Sequence, residues 1–123
     1  MVILLKLISR TPHCSPGSLE KIRKIAKQVD ACLISHGDIE HVGALPYLYG
    51  KAGLNCTTYA TFPVHSMGQL ALTDLVQSKK LEQDFDVFTQ KEVDQAFDKM
   101  VTLRYSQPYS LLGILFHPFI YTR

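Results

Sequence analysis

Short apolar and β-branched runs alternate with longer helical patterns along this chain. The runs over residues 30–35, 56–61 and 101–106 have the length and composition of strands. A further run at the N-terminus is broken by Lys6 and lacks a small-residue cleavage site, so it predicts a strand rather than a signal peptide. Hydrophobic residues at helical spacing predict helices over about residues 18–28, 41–53, 63–80 and 89–100. Because alternating strands and helices pack in layers around one core, the pattern predicts an α/β domain.

Two of these helices carry proline near their predicted starts. Pro46 falls in the first turn of the helix at 41–53, with Gly53 as its expected end, and Pro63 suits the first position of the helix at 63–80. The predicted core stripe of the second helix consists of Val64, Met67, Leu70, Ala71 and Leu75.

The C-terminal third predicts a capped helix followed by a hairpin. Thr89 and Glu92 have capping-box spacing at the start of the helix. Its expected buried face is formed by Val93, Ala96, Phe97 and Met100. The strand at 101–106 is expected to pair with a partner that begins at residues 109–112.

The totals exclude some classes of function. The chain has 123 residues, enough for one small core, and its formal net charge of +2 is too small to indicate nucleic-acid binding by itself. No apolar run approaches the ~20 residues that a membrane span needs. The three cysteines, Cys14, Cys32 and Cys56, are widely spaced, which argues against a disulfide framework and favours a reducing compartment. Cys32 lies in an apolar run and is expected to be buried.

The helix at 18–28 is amphipathic with a basic face. Its apolar residues are Leu19, Ile22, Ile25, Ala26 and Val29, and its basic residues are Lys21, Arg23, Lys24 and Lys27. The basic face is interpreted either as an ordinary solvated surface or as an RNA-binding surface, and the pattern leaves both open.

A cluster of ionisable residues follows the strand at 30–35. His36, Asp38, Glu40 and His41 lie in a loop that enters the next helix, and imidazole and carboxylate groups suit Zn²⁺ or Mn²⁺. The alternative is structural. In it, Asp38 caps the helix, Glu40 interacts favourably with the positive end of the helix dipole, and the histidines form ordinary hydrogen bonds. The other histidines are His13, His65 and His117, and they do not lie in a second ligand-like group. His65 is expected either on a helix surface or in the packing between helices.

The cluster resembles the first signature motif of the metallo-β-lactamase fold, H-x-H-x-D-H followed by glycine. His36 and His41 match the motif, while Asp38 stands at its second histidine and Glu40 at its aspartate. Longer stretches at residues 33–56, 59–75 and 84–111 are similar to the non-catalytic metallo-β-lactamase and β-CASP subunits of pre-mRNA 3′-end processing complexes. The resemblance covers roughly residues 29–112.

This resemblance implies a partial αββα fold and an N-terminal fragment of such a subunit. The expected divisions are a divergent segment at 1–17, a partial metallo-β-lactamase-like domain at 18–113 and a divergent tail at 114–123. The implied role is nuclear, in cleavage and polyadenylation of pre-mRNA, without membrane association. The implied partners are other cleavage and polyadenylation factor subunits, notably the homologous endonuclease subunit and the scaffold protein symplekin, with pre-mRNA as a further candidate.

The degraded motif implies neither catalysis nor a cofactor. Asp38 and Glu40 can nevertheless ligate a metal, so zinc without hydrolysis is one alternative. Glu40 is one methylene longer than aspartate, and catalytic groups must be held to within about half an ångström. A zinc-dependent hydrolase or ribonuclease of the same fold is the second alternative. The third is a small α/β interaction module with no link to RNA processing, or a non-functional fragment. No RNA-binding residue is assigned from the sequence.

Overall fold

Strands and helices alternate in the computed structural model, which describes residues 2–4, 16–80, 87–111, 113–116 and 118. The strands are β1 Val2–Leu4, β2 Ala31–Leu33, β3 Thr57–Thr61, β4 Met100–Leu103, β5 Tyr109–Leu111 and β6 Ile114–Phe116. The helices are α1 Pro16–Ala26, α2 Ile39–Val42, α3 Leu45–Gly50, α4 Phe62–Lys80 and α5 Gln90–Asp98. The α/β class predicted from the alternation is confirmed.

The first four strands form one parallel sheet in the order β1-β2-β3-β4. The register places Cys32 beside Thr58, and Thr58 beside Met100. Because parallel crossovers are right-handed and each moves one strand in the same direction, all the connecting helices lie on one face of the sheet.

The main core lies between that face and the helices. The sheet contributes Cys32, Ala60 and Met100, which are buried. Buried helix residues that complete this core are Ala26, Val42, Leu45, Leu48, Leu72, Val76, Val93, Ala96 and Phe97. Since side chains alternate along a strand, the neighbouring residues of β2 must point to the opposite face.

The opposite face carries a smaller apolar cluster. Ala31 and Leu33 of β2 pack there against Leu111 of β5, with Tyr59 half-buried beside them. The Tyr59 and Tyr109 rings lie 5.6 Å apart between centroids. The hairpin of β5 and β6 therefore covers part of the sheet face that carries no helix.

The capping box predicted for α5 is confirmed. The Thr89 backbone N–H donates to Glu92 Oε2 at 2.7 Å, and the Glu92 backbone N–H donates to Thr89 Oγ1 at 3.4 Å. The predicted buried face is confirmed for Val93, Ala96 and Phe97, whereas α5 ends at Asp98 and Met100, although buried, is the first residue of β4.

The prediction of one helix over residues 41–53 is wrong, because two separate helices, α2 and α3, cover this region. α2 ends at Val42, and α3 begins three residues later, at Leu45, with Pro46 in its first turn. A proline has no N–H, so in a continuous helix Pro46 would leave the Val42 carbonyl without its partner and would clash with it. α3 ends at Gly50 rather than at Gly53.

The core stripe predicted for α4 is displaced around the helix. Met67 and Leu70 were expected in the core but are 60% and 64% exposed. The fully buried positions are instead Gly68, Leu72 and Val76. The other residues of the predicted stripe are half-buried: Val64, Ala71 and Leu75. Gly68 permits a close approach to neighbouring helices, and hydropathy alone does not reveal such a contact.

Helix α1 and the final hairpin also differ from expectation. α1 covers Pro16–Ala26 rather than 18–28, and Ile25, expected in the core, is 46% exposed. The strand at 109–111 does not pair with β4, as the sequence had suggested, but with β6. Gly113 has a φ of +81°, which suits the tight turn between those two strands. The predicted segment boundaries at 17 and 113 stay predictions.

Candidate functional site

The loop between β2 and α2 carries the ionisable cluster found in the sequence. The Ile34 N–H donates to the Tyr59 carbonyl at 2.9 Å, so the loop leaves the sheet beside β3. Gly37 lies directly against α4, where an added Cβ would be 2.9 Å from the Val64 oxygen and 3.0 Å from Met67 Cβ. Only glycine fits this approach, and it fixes the loop against the helix.

Asp38 is the N-cap of α2, as the structural interpretation of the motif predicted. Its Oδ1 accepts from the His41 backbone N–H at 3.0 Å and lies 2.6 Å from His41 Nδ1. The hydrogen bond from the imidazole holds the pKa of Asp38 below its ordinary value of 3.8. The two contacts therefore fix the orientation of the Asp38 and His41 side chains relative to each other.

The two motif histidines lie side by side. Their ring centroids are 4.7 Å apart, and the rings are tilted by 34°. His36 Nδ1 lies 2.9 Å from Ser35 Oγ, which orients that ring. Since both Nδ1 atoms are engaged, Nε2 is the atom that each histidine could offer to a ligand.

Glu40 occupies the first turn of α2 and is exposed. A carboxylate at this position is stabilised by the positive end of the helix dipole, as the structural interpretation expected. Within the described ranges, no group of three His, Cys, Asp or Glu side chains is arranged to hold a metal ion.

A metal of the kind that this fold class implies can be tested against these donors. Catalytic zinc sites have three protein ligands and one open position. The loop offers two adjacent imidazoles, and the near oxygen of Asp38 is already bonded twice by His41. The described residues, as they stand, do not fit a catalytic zinc site.

The remaining histidines do not join this loop. His65 Nε2 lies 3.2 Å from the Phe97 carbonyl, and its ring meets the Phe97 ring edge-on at 5.4 Å. The prediction that His65 packs between helices is confirmed. His13 and His117 lie outside the described residues, as does Cys14.

A half-buried polar cluster between α3 and the sheet was not predicted from the sequence. The Tyr49 hydroxyl donates to the Cys56 carbonyl at 2.7 Å and lies 2.6 Å from Thr58 Oγ1. Burial raises the pKa of Cys32 to about 12 and that of Tyr49 to about 12. The Tyr49 bonds join α3 to the start of β3, and the predicted burial of Cys32 is confirmed.

Among the described residues, no helix is both long and apolar enough to cross a lipid bilayer.

Comparison with known proteins identifies the family. The model of the metallo-beta-lactamase superfamily domain matches residues 1–120. The chain is 47% identical over 93 residues to the probable cleavage and polyadenylation specificity factor subunit 2 of Drosophila melanogaster. It is 45% identical over 95 residues to the subunit 2 of Arabidopsis thaliana and 40% identical over 94 residues to that of Caenorhabditis elegans.

These matches cover 76–77% of this chain but only 11–13% of those three relatives. The chain thus spans about one eighth of the length of the curated relatives it matches. The resemblance read from the motif and the longer stretches is confirmed, as is the partial α/β fold that it implied. By the match over nearly its whole length, the chain belongs to the metallo-β-lactamase superfamily.

Proposed function

We propose that this chain belongs to a non-catalytic subunit of the cleavage and polyadenylation specificity factor. It acts in the nucleus in pre-mRNA 3′-end processing, through assembly of the complex and contact with RNA. Relatives from an insect, a plant and a nematode carry the subunit 2 name, which supports a role in this complex.

The bonding of Asp38 carries the proposal that the subunit is non-catalytic. In the family motif a second histidine stands at this position, where an imidazole could ligate metal. Here the carboxylate accepts two hydrogen bonds from His41 and caps α2. The residue does the work of a helix cap, which needs no metal.

The proposed partners are the homologous endonuclease subunit and symplekin. Apolar side chains exposed beside the motif loop offer surface for such contacts, since protein interfaces bury exposed apolar patches. These side chains are Ile39, Met67 and Leu70, which are 47%, 60% and 64% exposed.

Metal content and RNA cleavage test the non-catalytic role. We expect the purified chain to hold less than stoichiometric zinc by elemental analysis and to show no metal-dependent cleavage of a model pre-mRNA. An Asp38→His, Glu40→Asp variant restores the family ligand types and should gain zinc. Asp38→Asn is the matched control, because it keeps a capping oxygen without adding a ligand.

The adjacent imidazoles favour one alternative, a metal-dependent hydrolase or ribonuclease. Stoichiometric zinc in the natural chain, lost on His36→Ala together with RNA cleavage, would establish that alternative and refute the non-catalytic role.

Association tests the assembly role separately. Tagged chain should retain the purified endonuclease subunit or symplekin, and an Ile39→Asp, Met67→Asp variant should retain less. Equal retention of unrelated nuclear proteins would contradict the assignment to this complex.

A further inference from the structure

A basic cleft lies between α1 and the loop that follows α3. Arg23, Lys24 and Lys27 line its α1 side, and Lys51 and Gly53 line the loop side. Its volume is about 530 Å³.

The helix pattern explains why these cations share one surface. Arg23 and Lys27 are four residues apart and Lys24 and Lys27 are three apart, spacings that place side chains on one side of a helix, and Lys27 follows directly after the last residue of α1. Arg23 and Lys27 are about 6 Å apart along the helix direction, from the rise of ~1.5 Å per residue. Lys21, on the same helix, is exposed but does not line the cleft.

The loop provides the opposite wall. Gly53 has a φ of +78°, in the left-handed region that glycine favours. A Cβ added to Gly53 would lie 3.9 Å from Lys27 Cε, so the Lys27 stem passes over this glycine. The charged side chains of α1 are thus held beside a concave surface rather than spread over a flat one.

The cleft concentrates the positive charge of the chain. Four cationic side chains and one carboxylate, Glu20, line it, a net formal charge of three, whereas the whole chain carries +2. No described carboxylate forms a salt bridge with Arg23, Lys24 or Lys27 within the ranges that the structure covers. Arg23, Lys24 and Lys27 are exposed, so their charge is accessible to a polyanion.

We propose that this cleft binds the phosphate backbone of single-stranded RNA without reading its sequence. Arginine and lysine clusters bind phosphates through charge-assisted hydrogen bonds and counterion release. The part of the chain that the structure describes places no aromatic ring in the cleft lining, whereas base recognition in single strands uses aromatic stacking. The choice of RNA over another polyanion rests on the proposed function.

The salt dependence follows from the number of cations. For single strands, the logarithm of the binding constant falls with a slope of about −0.7 per phosphate against the logarithm of salt. Three phosphate contacts therefore predict a slope of about −2, and removing two cations should reduce it to about −0.7.

Fluorescence anisotropy with the full 123-residue chain and labelled oligouridine tests the proposal. An Arg23→Gln, Lys27→Gln variant should bind at least about tenfold more weakly at low salt, since it loses two phosphate contacts. The matched control is Lys21→Gln, Lys91→Gln, which removes the same charge from exposed positions outside the cleft. It should bind within about twofold of the natural chain, because long-range attraction is screened by salt.

Arg23 also lies in the last turn of α1, where a cation interacts favourably with the negative end of the helix dipole. A Lys27→Gln variant alone, just beyond the helix, tests the cleft without changing α1. Equal weakening by the cleft and control variants would overturn the proposal, because it would show dependence on net charge only.

Two further results would also overturn it. Absence of oligouridine binding by the natural chain would do so, and so would tighter binding of a polyglutamate peptide, which would assign the cleft to an acidic protein. Failure of the proposed function looks different, since the chain would then bind oligouridine through the cleft but would not retain processing subunits.

Discussion

The close contact between Gly68 and Val42 packs α2 against α4. It thereby positions the loop between β2 and α2 that carries His36 and Asp38. An added Cβ at Gly68 would lie 3.1 Å from Val42 Cγ1 and 3.3 Å from Phe97 Cε1. Both neighbours are buried, Val42 at 0% exposure and Phe97 at 1%. We therefore predict that Gly68→Ala and Val42→Ala interact when they are combined.

The magnitudes follow from the two single changes. Val42→Ala removes two buried methyl groups and leaves a cavity, which should cost about 2–3 kcal/mol. Gly68→Ala gains about 1 kcal/mol of helix propensity but crowds two buried side chains, for a net loss of about 1 kcal/mol. Because Val42→Ala removes one of the crowded atoms, the double variant should lose about 1 kcal/mol less than the sum.

Urea unfolding followed by circular dichroism measures the free energy of unfolding of all four chains. The matched control pairs Gly68→Ala with Val76→Ala, a buried valine about 12 Å further along the same helix. Those two changes should add to within about 0.5 kcal/mol. If Gly68→Ala and Val42→Ala also add to within that margin, the close contact does not hold α2 against α4.

Three other perturbations have defined outcomes. Thr89→Ala should lower the free energy of unfolding by about 1 kcal/mol through loss of the capping box, and Thr89→Ser, which keeps the hydroxyl, by much less. The lowered pKa of Asp38 means that its ionised form stabilises the fold above its ordinary value of 3.8 and that this stabilisation is lost as pH falls through the lowered pKa. The difference in urea midpoint between the natural chain and Asp38→Asn should therefore hold down to about pH 5 and shrink as the pH falls through 3.8 and the lowered pKa, and a constant difference would contradict the bond to His41. Cys32, buried and with its pKa raised to about 12, should resist iodoacetamide in the folded chain at about pH 8 and react after unfolding, as peptide mass spectrometry would show.

Local patterns in the sequence predicted the features that neighbouring residues decide. The capping box needs only Thr89 and Glu92 three residues apart. Apolar runs such as Ala31–Leu33 alternate with helical segments along the chain, and this order was sufficient to predict the α/β class. The structural role of Asp38 was foreseen as one of two interpretations, because capping is also a short-range effect.

Features that depend on distant contacts were not predictable in this way. The buried face of α4 is decided by the approach of Gly68 to Val42 and Phe97, which lie on other helices. The partner of β5 depends on a turn at Gly113 and on the packing of Leu111 against β2. The basic cleft needed both α1 and the loop at Gly53, so the helix pattern alone left RNA binding open beside an ordinary solvated surface.

The order of the main sheet has a consequence for synthesis of the chain. The strands lie in the sheet in the order in which they are translated. Each strand after β1 can therefore pair with a neighbour that has already been synthesised. No strand of this sheet has to wait for a later one to separate it from its neighbour, so pairing errors between non-consecutive strands are avoided. The sheet can therefore grow in one direction while the ribosome is still extending the chain, with β4 as its newest edge.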